Sequence, residues 1–239
     1  ATLQVFQAKY PVVSPAFVAG HSMGELSALV ACGALPFAEA LRLARTRGRL
    51  MKQSGEISPG GMAAIMGLDI PGLEEVCAQA SQEEELVQVA NDNCPGQVVI
   101  SGTQKALERA MALAQLAGAK KVVPLAVSIA AHSPLMAYAQ EEFRRAVDAT
   151  PIKDPHIPLI GNVTAAPLHQ ASQIRQDLQA QLTHRVRWSE SVQWMIAQGV
   201  HTFLEMGSGS VLTGLLKRID RNVTGLALGK PEDFEKLTG

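Results

Sequence analysis

A serine stands between two glycines in the segment GHSMG (20–24). The apolar run before it (15–20) predicts a buried strand, and residues 22–31 predict a helix. At a strand-to-helix turn this G-x-S-x-G spacing exposes the Ser22 hydroxyl for nucleophilic chemistry. The next backbone N–H, that of Met23, is then free to stabilise an oxyanion. The alternative is a serine that only caps the helix.

An arginine falls on the apolar side of the next predicted helix, at 36–54, which carries four arginines in all. On a helical wheel of about 100° per residue, Arg42, Arg45 and Arg49 share a solvated face, whereas Arg47 lies within the apolar stripe. A guanidinium keeps its proton, and its burial without an anion is costly. Arg47 therefore needs a carboxylate, which comes either from a buried Asp or Glu of the protein or from a ligand gripped by the planar fork.

A nucleophilic serine needs a general base, usually a histidine, and the chain has six histidines. His132 follows a strand-like run and precedes a helix start, which predicts a place at a strand end, where sites of α/β proteins gather. A core or capping role for His132 is the alternative. His21 adjoins the serine but points elsewhere in such a turn. The other four lie in polar segments that indicate the surface: His156, His169, His184 and His201.

Glycine and proline divide the chain into short alternating strands and helices. Over 55–128 the predicted order is strand, helix, strand, strand, helix, strand, with the last strand at 120–129, and this is the order of the ferredoxin-like split unit. We therefore expect an α/β fold in which a ferredoxin-like subdomain (55–128) is inserted into a catalytic core (1–54 and 129–239). Further predicted elements are helices at 135–149, 171–181, 188–198 and 211–219, and strands at 157–163 and 200–207.

The composition sets limits on the class of protein. A chain of 239 residues with 47% hydrophobic and 18% charged residues can bury a sizeable core. A net charge of −1 argues against a general nucleic-acid or membrane-surface binder. The three scattered cysteines, without a C-x-x-C pair, suit a reduced cytoplasm and offer no zinc site, so no metal is expected. No apolar run approaches the roughly 18–20 residues of a membrane helix.

Eight segments together resemble the malonyl-CoA:acyl carrier protein transacylases, in that family's order and over nearly the whole chain. They are GHSMGELSALVACGAL, LRLARTRGRLM, GGMAAIMGLD, VQVANDNCPGQVVISG, VPLAVSIAAHSPLM, IPLIGNVTAAPL, RVRWSESVQWM and FLEMGSGSVLTGLLKRI. As a set they are highly specific. Acyltransferase domains of polyketide and fatty-acid synthases and the transacylase subunit of malonate decarboxylases share the pattern. The resemblance implies an α/β-hydrolase-like core with a ferredoxin-like insertion.

The resemblance also implies a role for each candidate residue. Ser22 matches the family's nucleophile, His132 its general base, and Arg47 the arginine that grips the malonyl carboxylate. Gln181 matches the residue whose carbonyl orients the histidine, and the Met23 N–H would be an oxyanion donor. The implied reaction is a ping-pong transfer from malonyl-CoA to the phosphopantetheine thiol of an acyl carrier protein. Fatty-acid biosynthesis is the expected pathway and the cytoplasm the expected location, although polyketide synthesis and malonate decarboxylation need the same transfer. No cofactor beyond that carried by the partner is expected.

The chain departs from the family pattern at two places. Family members open with a strand ending in F-P-G-Q-G-S-Q, which supplies the second oxyanion donor. No segment here matches it, so we expect about one strand and one or two helices ahead of Ala1. Many malonyl-specific members also carry a bulkier aromatic just before the histidine, where this chain has Ile129, Ala130 and Ala131. Selectivity for acyl size therefore stays open.

Three other interpretations compete with that of a malonyl transacylase. An α/β serine hydrolase, either an esterase or a thioesterase, would carry an acid after the serine and a histidine near the C-terminus. A non-catalytic domain that keeps the fold, or the transacylase subunit of a malonate decarboxylase, would show much the same motifs.

Acyl carrier proteins are acidic, so the resemblance also predicts a basic rim around the site. An ordinary solvated surface is the alternative for each candidate. The candidates are Lys120, Lys121, Arg185, Arg187, Lys217, Arg218 and Arg221.

Overall fold

A computed structural model describes residues 1–237 and shows a mixed α/β protein. The helices are α1 (Thr2–Lys9), α2 (Gly24–Ala31), α3 (Phe37–Ile57), α4 (Ile70–Ala80), α5 (Gln104–Leu116), α6 (Ala137–Ala149), α7 (Ala171–Gln181), α8 (Trp188–Ala197) and α9 (Val211–Ile219), with 3₁₀ turns at Pro134–Met136 and Pro231–Leu237. The strands are β1 (Val18–Ala19), β2 (Gly60–Met66), β3 (Val87–Cys94), β4 (Gln97–Thr103), β5 (Lys121–Pro124), β6 (Leu159–Ile160), β7 (Pro167–Leu168), β8 (Thr202–Met206) and β9 (Thr224–Leu228).

A small three-stranded sheet brings distant parts of the chain to one edge. β1 pairs in parallel with β6, with Val18 opposite Leu159 and Ala19 opposite Ile160. β7 then pairs antiparallel with β6. Because the carboxyl ends of neighbouring parallel strands meet at the same edge, the turn after β1 lies beside the loop after β6. The predicted strand at 157–163 is thus only two residues long, and its remainder forms that loop.

The middle of the chain forms a four-stranded antiparallel sheet in the order β3-β4-β2-β5. Its elements follow one another as predicted: strand, helix, strand, strand, helix, strand. α4 and α5 pack on the sheet through a buried apolar cluster that includes Ile65, Leu73, Ile100 and Leu107. The predicted strand at 120–129 is shorter, since β5 ends at Pro124 and the following residues run as an irregular segment.

A larger core joins α2, α3, α6 and α7. Its fully buried members include Leu29, Leu50, Phe143 and Leu178. α3 is the longest helix of the described chain, and it continues to Ile57, three residues beyond its predicted end. It ends just before Pro59, which disfavours helical backbone at the preceding residue. The apolar face of α3 thus runs through the core, and this is the face that carries Arg47.

The last part of the chain adds a parallel pair, β8 and β9, connected by α9. α8 and α9 pack together through Trp188, Val192 and Leu216. Across residues 1–237 no helix has both the length and the hydropathy needed to span a membrane.

Candidate active site

The turn from β1 to α2 holds Ser22 in a strained conformation. α2 begins at Gly24, two residues later than predicted, and Ser22 has φ of +52°, in the left-handed region that is uncommon outside glycine. Gly20 is required for this turn, because a Cβ there would lie 2.1 Å from the backbone of Gly24. The Ser22 side chain does not cap α2, which removes the capping alternative.

Asn162, from the loop after β6, fixes the backbone of this turn. The Ser22 N–H donates to Asn162 Oδ1 at 2.7 Å, and Asn162 Nδ2 donates to the carbonyl of Gly20 at 2.8 Å. Neither bond was predictable from the sequence, since the partners lie about 140 positions apart. Over the described residues, the Met23 N–H makes no hydrogen bond, so it is available to a ligand oxygen.

His132 lies against the serine. Its Nε2 is 2.8 Å from Ser22 Oγ, and its Nδ1 is 2.8 Å from the backbone carbonyl of Gln181. A carbonyl only accepts, so Nδ1 carries the proton and Nε2 is free to accept one from the serine. Burial, followed by the charge of Arg47, lowers the pKa of His132 to about 3, so the imidazole is neutral at neutral pH.

The position of His132 corrects one expectation. It does not follow a strand directly, because β5 ends at Pro124 and the segment between them is irregular. It has φ of +57° and precedes the 3₁₀ turn that begins at Pro134. Its carbonyl accepts a hydrogen bond of 2.8 Å from Gln88 Nε2, on β3. The antiparallel sheet therefore helps to hold the histidine in this backbone conformation.

Arg47 is buried as the helical wheel predicts, with 6% of its surface exposed, while Arg42, Arg45 and Arg49 are exposed. Its Nη2 donates to Ser22 Oγ at 3.0 Å and to Gln181 Oε1 at 2.9 Å. Its Nε is buried and has no hydrogen-bond partner within the described chain. Burial lowers the pKa of Arg47 to about 10, against the opposing effect of Glu25, so the group is a cation at neutral pH.

No carboxylate of residues 1–237 forms an ion pair with Arg47. Of the two alternatives left open by the sequence, an internal salt bridge is therefore not formed. The cation lies beside the serine hydroxyl with a buried N–H unpaired, and unpaired buried donors are uncommon. This arrangement suits an anionic ligand group at the serine.

Glu25 is a buried acid of the site that the sequence reasoning missed. It has no exposed surface, and it accepts hydrogen bonds from Gln181 Nε2 and, at 3.3 Å, from the N–H of Asn162. Burial, and then the nearby carboxyl of Asp177, hold the pKa of Glu25 well above its usual range. A helical wheel could have found it, since Glu25 shares a face with the buried Ala28, Leu29 and Cys32.

The remaining histidines lie where the sequence places them. His21 points away from the serine, with its Nε2 2.8 Å from Asn93 Oδ1 and its ring against Trp188. The other four are exposed: His156, His169, His184 and His201.

Comparison with known proteins decides the family. Residues 1–227 match the acyl transferase domain family. The chain belongs to this family. Acyl transferases similar to it include the malonyl CoA-acyl carrier protein transacylase of Bacillus subtilis, 46% identical over 93% of this chain and 70% of the relative. The enzyme of the same name from Haemophilus influenzae is 41% identical over 99% of this chain and 76% of its own length.

Solved acyl transferase structures give the same result. The acyl carrier protein S-malonyltransferase of Vibrio cholerae superposes with a TM-score of 0.95 and 41% identity, covering 99% of this chain and 76% of the other. A malonyl-transacylase solved in complex with a type II polyketide-synthase acyl-carrier protein superposes with a TM-score of 0.94 at 38% identity, covering 98% and 75%. The resemblance predicted from the eight sequence segments is confirmed.

Proposed function

We propose that this protein moves a malonyl group from malonyl-CoA to the phosphopantetheine thiol of an acyl carrier protein, with Ser22 as the covalent carrier. One observation supports this most directly. Ser22 Oγ lies 2.8 Å from a neutral histidine nitrogen and 3.0 Å from an arginine that has no internal carboxylate partner. The transacylases of Bacillus subtilis and Haemophilus influenzae, and the Vibrio cholerae malonyltransferase, carry names that agree with it.

The proposed first half-reaction loads the serine. His132 Nε2 takes the Ser22 proton as Oγ bonds to the thioester carbonyl carbon, and the carbonyl π electrons move onto oxygen. The Met23 N–H donates to this oxyanion. When the carbonyl re-forms, the carbon–sulfur bond breaks, CoA leaves as a thiolate, and His132 returns the proton to it. Malonyl-Ser22 remains.

The second half-reaction reverses these roles with a different thiol. The phosphopantetheine thiol of the carrier gives its proton to His132 and attacks the ester carbonyl. Collapse of the oxyanion breaks the bond to Ser22 Oγ, and His132 reprotonates the serine. The Gln181 carbonyl keeps Nε2 of the histidine facing the serine throughout, by accepting from Nδ1. The only prosthetic group required is the one on the carrier.

Arg47 supplies the proposed selectivity for a malonyl group. The free carboxylate of the malonyl chain loses its water on entering the site, and the guanidinium replaces that water with charge-assisted hydrogen bonds. The unpaired Nε of Arg47 is available for one of these bonds. An acetyl group has no carboxylate and leaves the cation unpaired, which raises the barrier for acetyl transfer.

The finer description of the fold belongs to the same proposal. We infer that residues 1–54 and 129–239 form an α/β-hydrolase-like core and that 55–128 is a ferredoxin-like insertion. The sharp serine turn after β1 and the sheet order β3-β4-β2-β5 support this. The three cysteines are free and buried thiols, in keeping with the proposed cytoplasmic location and a role in fatty-acid synthesis.

Two features favour the transferase over a serine hydrolase. The Nδ1 of His132 faces a backbone carbonyl, whereas a hydrolase triad places a carboxylate there. A buried arginine bonded to the nucleophile also has no use in the hydrolysis of neutral esters. The names of the relatives given above favour a carrier-dependent transacylase over a malonate decarboxylase subunit.

Intact-protein mass spectrometry tests the proposal. We expect malonyl-CoA to add one malonyl group, mapped to Ser22 by peptide sequencing, and holo acyl carrier protein to remove it. The Ser22→Ala variant should stay unlabelled, and carrier protein without phosphopantetheine should leave the adduct in place. An adduct lost as free malonate at the same rate with and without holo carrier would indicate a hydrolase and overturn the proposal.

A further inference from the structure

The carboxyl of Glu25 lies beneath the serine turn, where it joins two arms of the site. One arm is the side-chain amide of Gln181, whose Nε2 donates to Glu25 Oε2. The other is the backbone N–H of Asn162, which donates to Glu25 Oε1 at 3.3 Å. Both residues also contact Ser22. The Ser22 N–H donates to Asn162 Oδ1 at 2.7 Å, and Gln181 Nε2 donates to the Ser22 carbonyl at 3.2 Å.

Gln181 has two separate duties at this site. Its backbone carbonyl accepts from His132 Nδ1, and its side-chain Oε1 accepts from Arg47 Nη2 at 2.9 Å. A side-chain amide has an acceptor end and a donor end, whereas a guanidinium has donors only. Gln181 therefore holds Arg47 only while the acceptor end of its amide faces the guanidinium.

Glu25 sets the direction of that amide. Its carboxyl oxygen accepts from the Gln181 NH₂ group, so the opposite end, Oε1, must face Arg47. Without this acceptor the amide NH₂ keeps only its 3.2 Å bond to the Ser22 carbonyl. A half-turn of the amide would then direct donors at donors and release the guanidinium from its place beside Ser22 Oγ.

The charged groups around Glu25 are few. Asp177 is almost fully buried, and its two oxygens accept from the N–H groups of Val163 and Thr164 at 3.1 and 2.9 Å. Arg47 is the buried cation whose pKa Glu25 raises. A glutamine at position 25 can keep an acceptor for Gln181, but its NH₂ then replaces the oxygen that accepts from the Asn162 N–H. This variant therefore retains the bond to Gln181 and loses the bond to Asn162.

We propose that Glu25 is a positioning residue for malonyl selectivity, because its carboxyl fixes the Gln181 amide that anchors Arg47 beside Ser22. This inference rests on the proposed function. It is separate from the role of Arg47 itself, since Glu25 acts on the malonyl group only through Gln181 and Arg47.

The test compares two acyl donors in variants of Glu25. The measured quantity is kcat/KM for malonyl-CoA divided by kcat/KM for acetyl-CoA. We expect Glu25→Leu to lower this ratio by about tenfold or more, because the cationic Arg47 then loses its hydrogen bond to Gln181 Oε1. Glu25→Gln, which retains the acceptor, is expected to keep the ratio within about threefold of the wild type.

Glu205→Leu is the matched control for a purely structural carboxylate. Glu205 accepts from the N–H groups of Leu212 and Thr213, at the start of α9, at 3.1 and 2.7 Å. It makes no hydrogen bond to the residues around Ser22 in the described chain. Its replacement is expected to lower the melting temperature while leaving the malonyl-to-acetyl ratio unchanged.

Each outcome is decisive. If Glu25→Leu lowers both donors equally, or if Glu25→Gln loses the ratio as fully as Glu25→Leu, the positioning role is wrong. If Glu25→Leu does not fold, Glu25→Asp withdraws the carboxyl by one methylene, and an unchanged ratio in that variant would overturn the inference. A wild-type protein that forms no malonyl-serine contradicts the proposed function instead.

Discussion

At the residue scale, the chemistry of the site meets at one oxygen atom. Ser22 Oγ has one proton to donate and lone pairs to accept with. It has two hydrogen-bond partners of opposite kind. The neutral Nε2 of His132 accepts a hydrogen bond, whereas Nη2 of Arg47 can only donate one. The hydroxyl must therefore donate to the histidine and accept from the arginine. In the proposed reaction this polarises the O–H bond toward His132 and places a positive charge where alkoxide character would develop.

Arg47→Ala tests the source of selectivity at this scale. The loss of the guanidinium removes a buried charge-assisted contact worth about 2–5 kcal/mol. We expect kcat/KM for malonyl-CoA to fall by roughly 30-fold to several thousand-fold, and that for acetyl-CoA to fall far less. Steady-state kinetics with both donors measures this. An equal loss on both donors would mean that Arg47 serves the serine alone and not the malonyl carboxylate.

The pH dependence of loading tests the state of His132. Burial and the charge of Arg47 lower its pKa to about 3, so the base stays neutral as the pH falls through the ordinary histidine range. We expect the rate of acetyl loading to stay flat from about pH 8 to about pH 5, with no decline near the usual histidine pKa of about 6.5.

The Arg47→Leu variant gives the matching comparison for this pH profile. Removal of the neighbouring positive charge raises the pKa of His132, so the acid limb of the profile should move upward, toward the ordinary value. Acetyl-CoA is the suitable donor because its acyl group does not titrate. A wild-type profile that falls near pH 6.5, or one that the variant does not shift, would contradict this account of the site.

At the element scale, the two glycines of GHSMG have different duties. A Cβ at Gly20 would meet the Gly24 backbone at 2.1 Å, whereas a Cβ at Gly24 meets no heavy atom within 4 Å. We expect Gly20→Ala to lower the free energy of unfolding by about 2 kcal/mol or more and to abolish loading, because the backbone must shift. Gly24→Ala, at the first residue of α2, should be at least as stable as the wild type. Chemical denaturation of both variants measures the difference.

The sequence predicted the elements best where local pattern decides them. α7 coincides with the prediction at 171–181, and the strand and helix order of the antiparallel sheet is correct. The two-residue strand β7 and the strand β9 (Thr224–Leu228) were missed, because each is defined by pairing with a partner elsewhere in the chain. Such pairing produces no periodic spacing of apolar residues within the strand from which it could be predicted.

The same division holds within the site. The burial of Arg47 followed from its place on a helical wheel, and Glu25 was open to the same argument. Asn162 and Gln88 could not be found in this way, since their bonds to Ser22 and His132 join distant segments of the chain. The placement of His132 at a strand end was wrong, because its backbone is held by contacts from β3 and not by a ladder of its own.

At the scale of the whole molecule, Gln88 connects the antiparallel sheet to the proposed reaction centre. It donates to the carbonyls of His132 and Thr183, at 2.8 and 3.2 Å. We expect Gln88→Leu to lower kcat by about tenfold with malonyl-CoA and acetyl-CoA alike, because it disturbs the base and not Arg47. Gln79→Leu, on the exposed side of α4, is the control and should leave kcat unchanged. A loss confined to one donor would contradict this role for Gln88.

The structure also narrows the predicted basic rim. Two of the candidates are neutralised by ion pairs. Arg185 pairs with Glu74 and Glu190, and Arg187 pairs with Glu190. Met66, on β2, pairs with Lys121 on β5 at one side and with Gln97 on β4 at the other. Arg218 donates a hydrogen bond of 2.5 Å to this Gln97. The N–H of Lys120 donates to the Met66 carbonyl at 2.7 Å, so Lys120, Lys121 and Arg218 lie at the same end of the antiparallel sheet. None of the three forms an ion pair with a described residue.

Charge reversal at this end of the sheet tests whether it receives the acidic carrier. We expect Lys121→Glu combined with Arg218→Glu to slow transfer from malonyl-Ser22 to the carrier by about tenfold, while loading from malonyl-CoA changes little. Lys52→Glu, on the exposed side of α3, is the control and should alter neither step.

Salt provides a second test of the same surface. Raising the salt from about 0.05 M to about 0.5 M should slow transfer to the carrier in the wild type and much less in the double variant, since screening acts on the attraction that the variant has lost. Stopped-flow measurement of the two half-reactions separates the steps. Equal salt dependence in both proteins would place the carrier elsewhere on the surface.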